Sequence, residues 1–156
     1  MAVDTQKSLL IIEDSDEDFE ILQILMEDMK VTHPIYRCKT GDLALDFISK
    51  CKTASKDRSA ILPSIILLDL NLPGVDGREV LEKVKQDEQL RTIPVVVFTT
   101  SSDQTDIKYC YQKGANGYLI KPVSTELLER KVQAFVHYWL GENASVDWND
   151  INLLTS

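Results

Sequence analysis

Apolar residues in this chain fall into two patterns. Short unbroken runs, Leu9 to Ile12, Ile65 to Leu68, Val95 to Phe98 and Gly117 to Ile120, predict buried strands. Between them, apolar positions recur every three or four residues, as with Phe19, Leu22 and Met26 beside Ile21, Leu25 and Met29. That period predicts helices. The elements then alternate. A strand over Ser8 to Ile12 precedes a helix from Asp16 to Met29, capped by Ser15 or Asp16, with Glu17, Asp18 and Glu20 at its positive end. A strand over Ile35 to Cys38 follows the His33-Pro34 break, then a helix from Asp42 to Cys51. After the polar stretch Lys52 to Leu62, a third strand leads to Asp69 and a helix spans Gly77 to Gln86. Strand Val95 to Thr99 and a helix from Asp103 to Lys113, stopped by Gly114, come next. Strand Gly117 to Ile120 and a helix from Thr125 to Leu140, ended by Gly141, complete the pattern. Five β-then-α units with near-continuous apolar strands predict an α/β fold, a parallel sheet covered on both faces.

Composition narrows the function classes. At 156 residues and 44% hydrophobic, the chain reads as a single domain, 1–156, with a core of about 8–141 and an extension at 142–156. Net charge is −8 and the pI about 4.7, with no basic run. This argues against direct nucleic-acid binding and against an anionic membrane surface. No apolar stretch reaches the roughly 18 residues of a membrane span, and Met1 to Lys7 lacks a signal-peptide core. Cys38, Cys51 and Cys110 are odd in number and scattered, which predicts free thiols and a cytoplasmic location. With no CxxC and only His33 and His137, no zinc site is expected. Those two histidines read as surface residues, and the acids at 16, 17, 18 and 20 as a solvated helix start whose Asp16 or Glu17 could reach a metal's outer shell.

The strand ends carry the chemistry. The first ends in Glu13-Asp14, the third in Asp69, the fourth in Thr99 and the fifth in Lys121. In an open parallel sheet these ends share one edge, where ligands bind. Three carboxylates brought together repel one another and call for a hard divalent cation. Mg²⁺ fits, because it takes oxygen ligands and is often completed by a phosphate oxygen. An acid nucleophile, Mg²⁺, a lysine and a hydroxyl are the parts needed for phosphoryl transfer to a carboxylate.

Four motifs, Ile11-Ile12-Glu13-Asp14, Leu68 to Gly77, Phe98-Thr99-Thr100-Ser101 and Lys113 to Pro122, stand in this order, each at a strand end. Together they make the chain, from about Leu9 to Leu140, resemble the receiver domain of two-component response regulators. The resemblance implies a flavodoxin-like (βα)5 doubly wound sheet of strand order 2-1-3-4-5. It implies that Asp69 is the phosphoacceptor and that Glu13, Asp14, Asp69 and the backbone carbonyl of Asn71 hold Mg²⁺. Thr99 and Lys121 would contact the phosphoryl group, Tyr118 would be the aromatic switch beside Thr99, and Lys121-Pro122 would be a cis peptide. The implied protein is not an enzyme but a signalling protein that assists its own phosphorylation and dephosphorylation. Some positions depart from the family pattern. Glu13 stands where Asp is common, Thr100 where Ala is common, and Ser101 where the fastest self-hydrolysing receivers carry an acid or amide. Glu13 is a tolerable change that adds one methylene of reach, whereas Thr100 and Ser101 point to a phosphorylated lifetime of minutes or more.

The 16 residues after Leu140 are too few for a helix-turn-helix domain, so a stand-alone receiver is expected. The Lys52 to Leu62 insert, the Val-His-Tyr-Trp-Leu ending of the last helix and the short tail resemble cyanobacterial phytochrome response regulators. A phytochrome-like sensor histidine kinase is then the implied partner. A homodimer is expected through helix 4, strand 5 and helix 5. In that reading Leu128, Val132, Phe135 and Trp139 cover the sheet, which leaves Ile107, Tyr111, Val136, Tyr138, Leu140 and Trp148 for the interface. Two rivals remain. An aspartate-nucleophile phosphatase needs a second Asp two residues after the first, where this chain has Asn71. A non-phosphorylated pseudo-receiver would have no use for the intact acid, Thr and Lys set.

Overall fold

The structure, a computed structural model, describes residues 7–54 and 62–146. Trp148, Ile151, Leu153, Leu154 and residues 55–61 of the polar insert lie outside the described residues. The strands are β1 (Leu9–Ile12), β2 (Ile35–Cys38), β3 (Ile65–Leu68), β4 (Val95–Thr99) and β5 (Gly117–Ile120). They alternate with helices α1 (Asp16–Asp28), α2 (Gly41–Ala54), α3 (Gly77–Gln86), α4 (Gln104–Gln112) and α5 (Thr125–Phe135). All strand pairs are parallel, and the order is β2-β1-β3-β4-β5, the flavodoxin-like arrangement expected. No helix among the described residues is long and apolar enough to cross a membrane.

Alternation along each strand sorts the core into two layers. Leu9, Ile11, Ile65, Leu67, Val96 and Phe98 pack under α1 and α5, against Leu22, Met26, Val132 and Phe135. Leu10, Ile12, Ile66, Leu68, Val95 and Val97 face the other way, onto Ala44, Ile48, Val80, Leu81, Val84 and Cys110 of α2, α3 and α4. Because both faces are covered, β1, β3 and β4 are buried throughout, while the edge strands β2 and β5 are only partly so.

Helix boundaries hold within a residue or two except in α2 and α5. A 3₁₀ turn, Leu90–Thr92, that the pattern did not predict leads into β4. Gly114 ends α4 as expected, with a left-handed φ of 101° that only glycine adopts freely. The expected helix to Leu140 instead turns π-helical over Val136–Glu142, so Gly141 lies inside it. That change corrects part of the interface expectation. An i→i+5 turn takes up an extra residue and rotates the buried face. Val136 (9% exposed) and Leu140 (6%) therefore join the chain's own core, while Trp139 is only partly buried against it. Ile107 is half-buried and Tyr111 and Tyr138 are exposed.

Candidate phosphoacceptor site

Backbone pairing carries the site residues to one edge. Ile12 is in register with both Cys38 and Leu68, so Glu13 and Asp69 leave the sheet side by side. The Asp69 N–H donates to the Ile12 carbonyl (3.0 Å) and the Glu13 N–H to the Cys38 carbonyl (3.1 Å). Thr99 pairs with Ile120, and the Lys121 N–H donates to the Thr99 carbonyl (2.7 Å). Close approach at the start of α3 depends on glycine. The Gly77 N–H donates to the Leu70 carbonyl (3.0 Å), and a Cβ there would sit 2.2 Å from the Asp69 carbonyl oxygen.

Carboxylate oxygens of Glu13, Asp14 and Asp69 lie within 4.8 Å of one another. Glu13 and Asp69 are buried and Asp14 is exposed. Lys121 closes the group, its Nζ donating to Glu13 Oε1 (2.5 Å), Asp18 Oδ2 (2.9 Å) and Asp69 Oδ2 (3.2 Å). Burial pushes the Glu13 carboxyl up to about 7, against the pull of the Lys121 ammonium and with the Asp69 charge adding to the rise. For Lys121, burial disfavours the charge, but the contacts with Glu13 and Asp18 outweigh it and its pKa rises. An all-oxygen donor set with one solvent-facing acid fits a hard divalent cation that keeps some of its water. Asn71 is exposed, and its N–H donates to Asp69 Oδ1 (3.2 Å).

The hydroxyl side is built differently. Thr99 is fully buried, and its Oγ1 has no hydrogen-bond partner among the described residues. Tyr118 is half-buried, and its hydroxyl donates to the Ser101 carbonyl (3.0 Å). Ser101 Oγ in turn donates to Asp106 Oδ2 (2.6 Å), whose other oxygen accepts from Arg78 Nη2 (2.7 Å). A buried hydroxyl left without a partner costs stability.

The sequence reading is corrected at two points here. The Lys121-Pro122 peptide is trans, since no cis peptide bond occurs among the described residues. Trans is the intrinsically favoured form of an X-Pro bond, and Lys121 reaches all its acids from it. The second point is α1. Asp16 pairs with Arg37 (2.7 Å) and Lys39 (3.0 Å), away from the acid cluster, whereas Asp18 turns inward to Lys121. The run of acids at the helix start hid that distinction. Only its position in the first turn after the Ser15 cap, on the side facing β5, separates Asp18 from its neighbours. The Arg78–Asp106 contact joins residues 28 apart in the chain and had no signal in the sequence.

Residues 9–133 match the response regulator receiver domain family. The chain is 40% identical over 137 residues to the probable methanogenesis regulatory protein FilR2 of Methanothrix harundinacea (strain 6Ac), covering 88% of this chain and 86% of that one. It is 36% identical over 134 residues to response regulator Rcp1 of Synechocystis sp. (strain ATCC 27184 / PCC 6803 / Kazusa), covering 86% and 89%. The Mn²⁺-bound form of Rcp1 superposes with a TM-score of 0.81, covering 90% of this chain and 99% of that one at 34% identity. The phosphorylated cyanobacterial phytochrome response regulator RcpA gives a TM-score of 0.81 over 91% and 99% at 32% identity. A sheet of order 2-1-3-4-5, acids and a lysine gathered at its C-terminal edge and relatives matched over nearly their full length lead to one conclusion: the chain belongs to the response regulator receiver family.

Proposed function

We propose that Asp69 accepts a phosphoryl group from a sensor histidine kinase. The observation that carries this reading is the position of Asp69: buried, with Lys121 Nζ 3.2 Å from Oδ2 and two further acids gathered beside it. An Asp69 oxygen attacks phosphorus, the bond from phosphorus to the donor's imidazole nitrogen breaks, and the electron pair leaves with the imidazole. Glu13, Asp14, Asp69 and the Asn71 carbonyl are the residues that would hold Mg²⁺, which would supply positive charge to the phosphoryl oxygens. Lys121 supplies charge from the protein itself. The Thr99 hydroxyl, free of any bond among the described residues, turns to the phosphoryl group, and Tyr118 follows into the space it leaves.

Likeness to RcpA supports a phytochrome-like kinase as the partner, and the three buried free thiols support a cytoplasmic location. Exposed Tyr111 on α4, Val123 after β5, Leu127 on α5 and Tyr138 in the π-helical turn support a homodimer through this face. We keep the reading of one receiver domain with a core of about 8–141.

Labelling from a radioactive small acyl phosphate tests the function. Near one equivalent is expected on the wild type with Mg²⁺, and none on Asp69→Asn, which keeps the shape without the nucleophile. Many turnovers with no stable label would favour a phosphatase, and no label at all a pseudo-receiver. Sedimentation at tens of micromolar tests the dimer: Tyr138→Asp should shift a wild-type dimer towards monomer, and a monomeric wild type rejects it.

A further inference from the structure

We infer that Asp18 is a positioning residue for Lys121, holding its ammonium at the phosphoacceptor when its other partners are taken. The inference rests on the proposed phosphoryl transfer to Asp69. An ammonium has three N–H donors, and Lys121 spends them on three carboxylates, those of Glu13, Asp18 and Asp69. To reach a phosphoryl oxygen it must release one. Two of these carboxylates have other work in the proposed reaction: Glu13 belongs to the set that would hold the metal, and Asp69 forms the bond to phosphorus. Asp18 stands outside the cluster of Glu13, Asp14 and Asp69. It is the partner that Lys121 keeps.

Local structure explains why this acid, among five in the segment from Asp14 to Glu20, faces inward. Ser15 caps α1, and its Oγ accepts from the Asp18 N–H (3.1 Å). The Ser15 N–H donates to Glu13 Oε2 (3.2 Å), tying the first helical turn to the acid cluster. The turn is thus oriented by the site itself and presents Asp18 to Lys121 at 2.9 Å. Lys121 also lies 5.5 Å from the centre of the Phe98 ring, which closes another side of its pocket. A cavity lined by Asp18, Ile21, Leu22, Phe98, Pro122 and Leu128 adjoins Lys121, so it is the bond to Asp18 that keeps the head group from turning away into it.

The test uses the full chain and the rate of labelling by a small acyl phosphate at saturating Mg²⁺. Asp18→Ala should lower that rate about tenfold, as for one lost charge-assisted contact, while the Mg²⁺ dissociation constant measured by calorimetry stays within about twofold. Asp18→Glu should recover most of the rate. In a Lys121→Ala background, Asp18→Ala should change nothing further, because its effect runs through the lysine. An unaltered rate in Asp18→Ala, or a rate that falls only in step with Mg²⁺ affinity, overturns the inference. So does an equal loss in the Lys121→Ala background. A wild type that takes no label overturns the phosphoacceptor reading, and this inference with it. A labelled wild type with an indifferent Asp18→Ala overturns this inference alone.

Discussion

Two parts of the site, the group around Lys121 and the Thr99 hydroxyl at the end of β4, are opposites. Around Lys121, three carboxylates and one ammonium are closed on each other at 2.5 to 3.2 Å. Around Thr99, a fully buried hydroxyl has no partner among the described residues. The first half can exchange partners without exposing a bare charge. The second has no bond to lose by moving. On the proposed phosphoryl transfer, the lysine side would neutralise the added charge and the threonine side would move towards it. Tyr118 links the second half to α4 and α3 through Ser101, Asp106 and Arg78.

The comparison can be broken most forcefully at Lys121. Lys121→Ala strands the buried carboxylates of Glu13 and Asp69, and should cost about 3–5 kcal/mol of unfolding free energy in denaturant titrations. Millimolar Mg²⁺ should restore part of that loss, since a cation bound to the native state replaces the missing charge. An unchanged midpoint would show that the acids do not depend on the lysine. Tyr118→Phe is milder. It removes the bond to the Ser101 carbonyl and should cost about 1 kcal/mol in the same titration. It should also speed amide exchange in the segment from Ser101 to Asp106, and an unaltered exchange rate would disconnect the tyrosine from that loop.

The smallest effect, and the sharpest contrast, belongs to Thr99. Thr99→Val keeps the shape and removes a hydroxyl without a partner, so it should be neutral or stabilising by up to about 1 kcal/mol. The same variant should still take label on Asp69, yet show no change at Tyr118 in NMR spectra on phosphorylation. If Thr99→Val destabilised the fold more than Tyr118→Phe, the hydroxyl would have a bond of its own, and the contrast between the halves would fail.

Much of the site was legible because strands advertise their ends. Ile65-Ile66-Leu67-Leu68 followed by Asp69 needs no tertiary information to be read as a buried strand that delivers an acid. Glu13, Thr99 and Lys121 follow from the same rule. Asp18 was not legible, because five acids between Asp14 and Glu20 look alike in a list of residues, and direction is a property of the assembled helix. The end of α5 was misread for a related reason. An ideal 3.6-residue period assigned Trp139 to the core and Val136 and Leu140 to the surface. Trp139 does pack, partly buried, against the core, but Val136 and Leu140 are buried as well, since an i→i+5 turn depends on what the helix packs against.

By itself, the amino-acid order determined the five β-then-α units, the double-sided burial of the central strands and the chemical types at the sheet edge. These are local: each follows from a run of apolar residues and the polar residue that ends it. Only the tertiary structure decided which acids share the lysine, that the Thr99 hydroxyl stands unpartnered, and which face of the last helix is buried. Each depends on groups distant in the chain being packed together, and the first on groups as much as 108 residues apart meeting within hydrogen-bond range, as Lys121 and Glu13 do. Such meetings are set by register, helix capping and packing density, which no window along the chain contains.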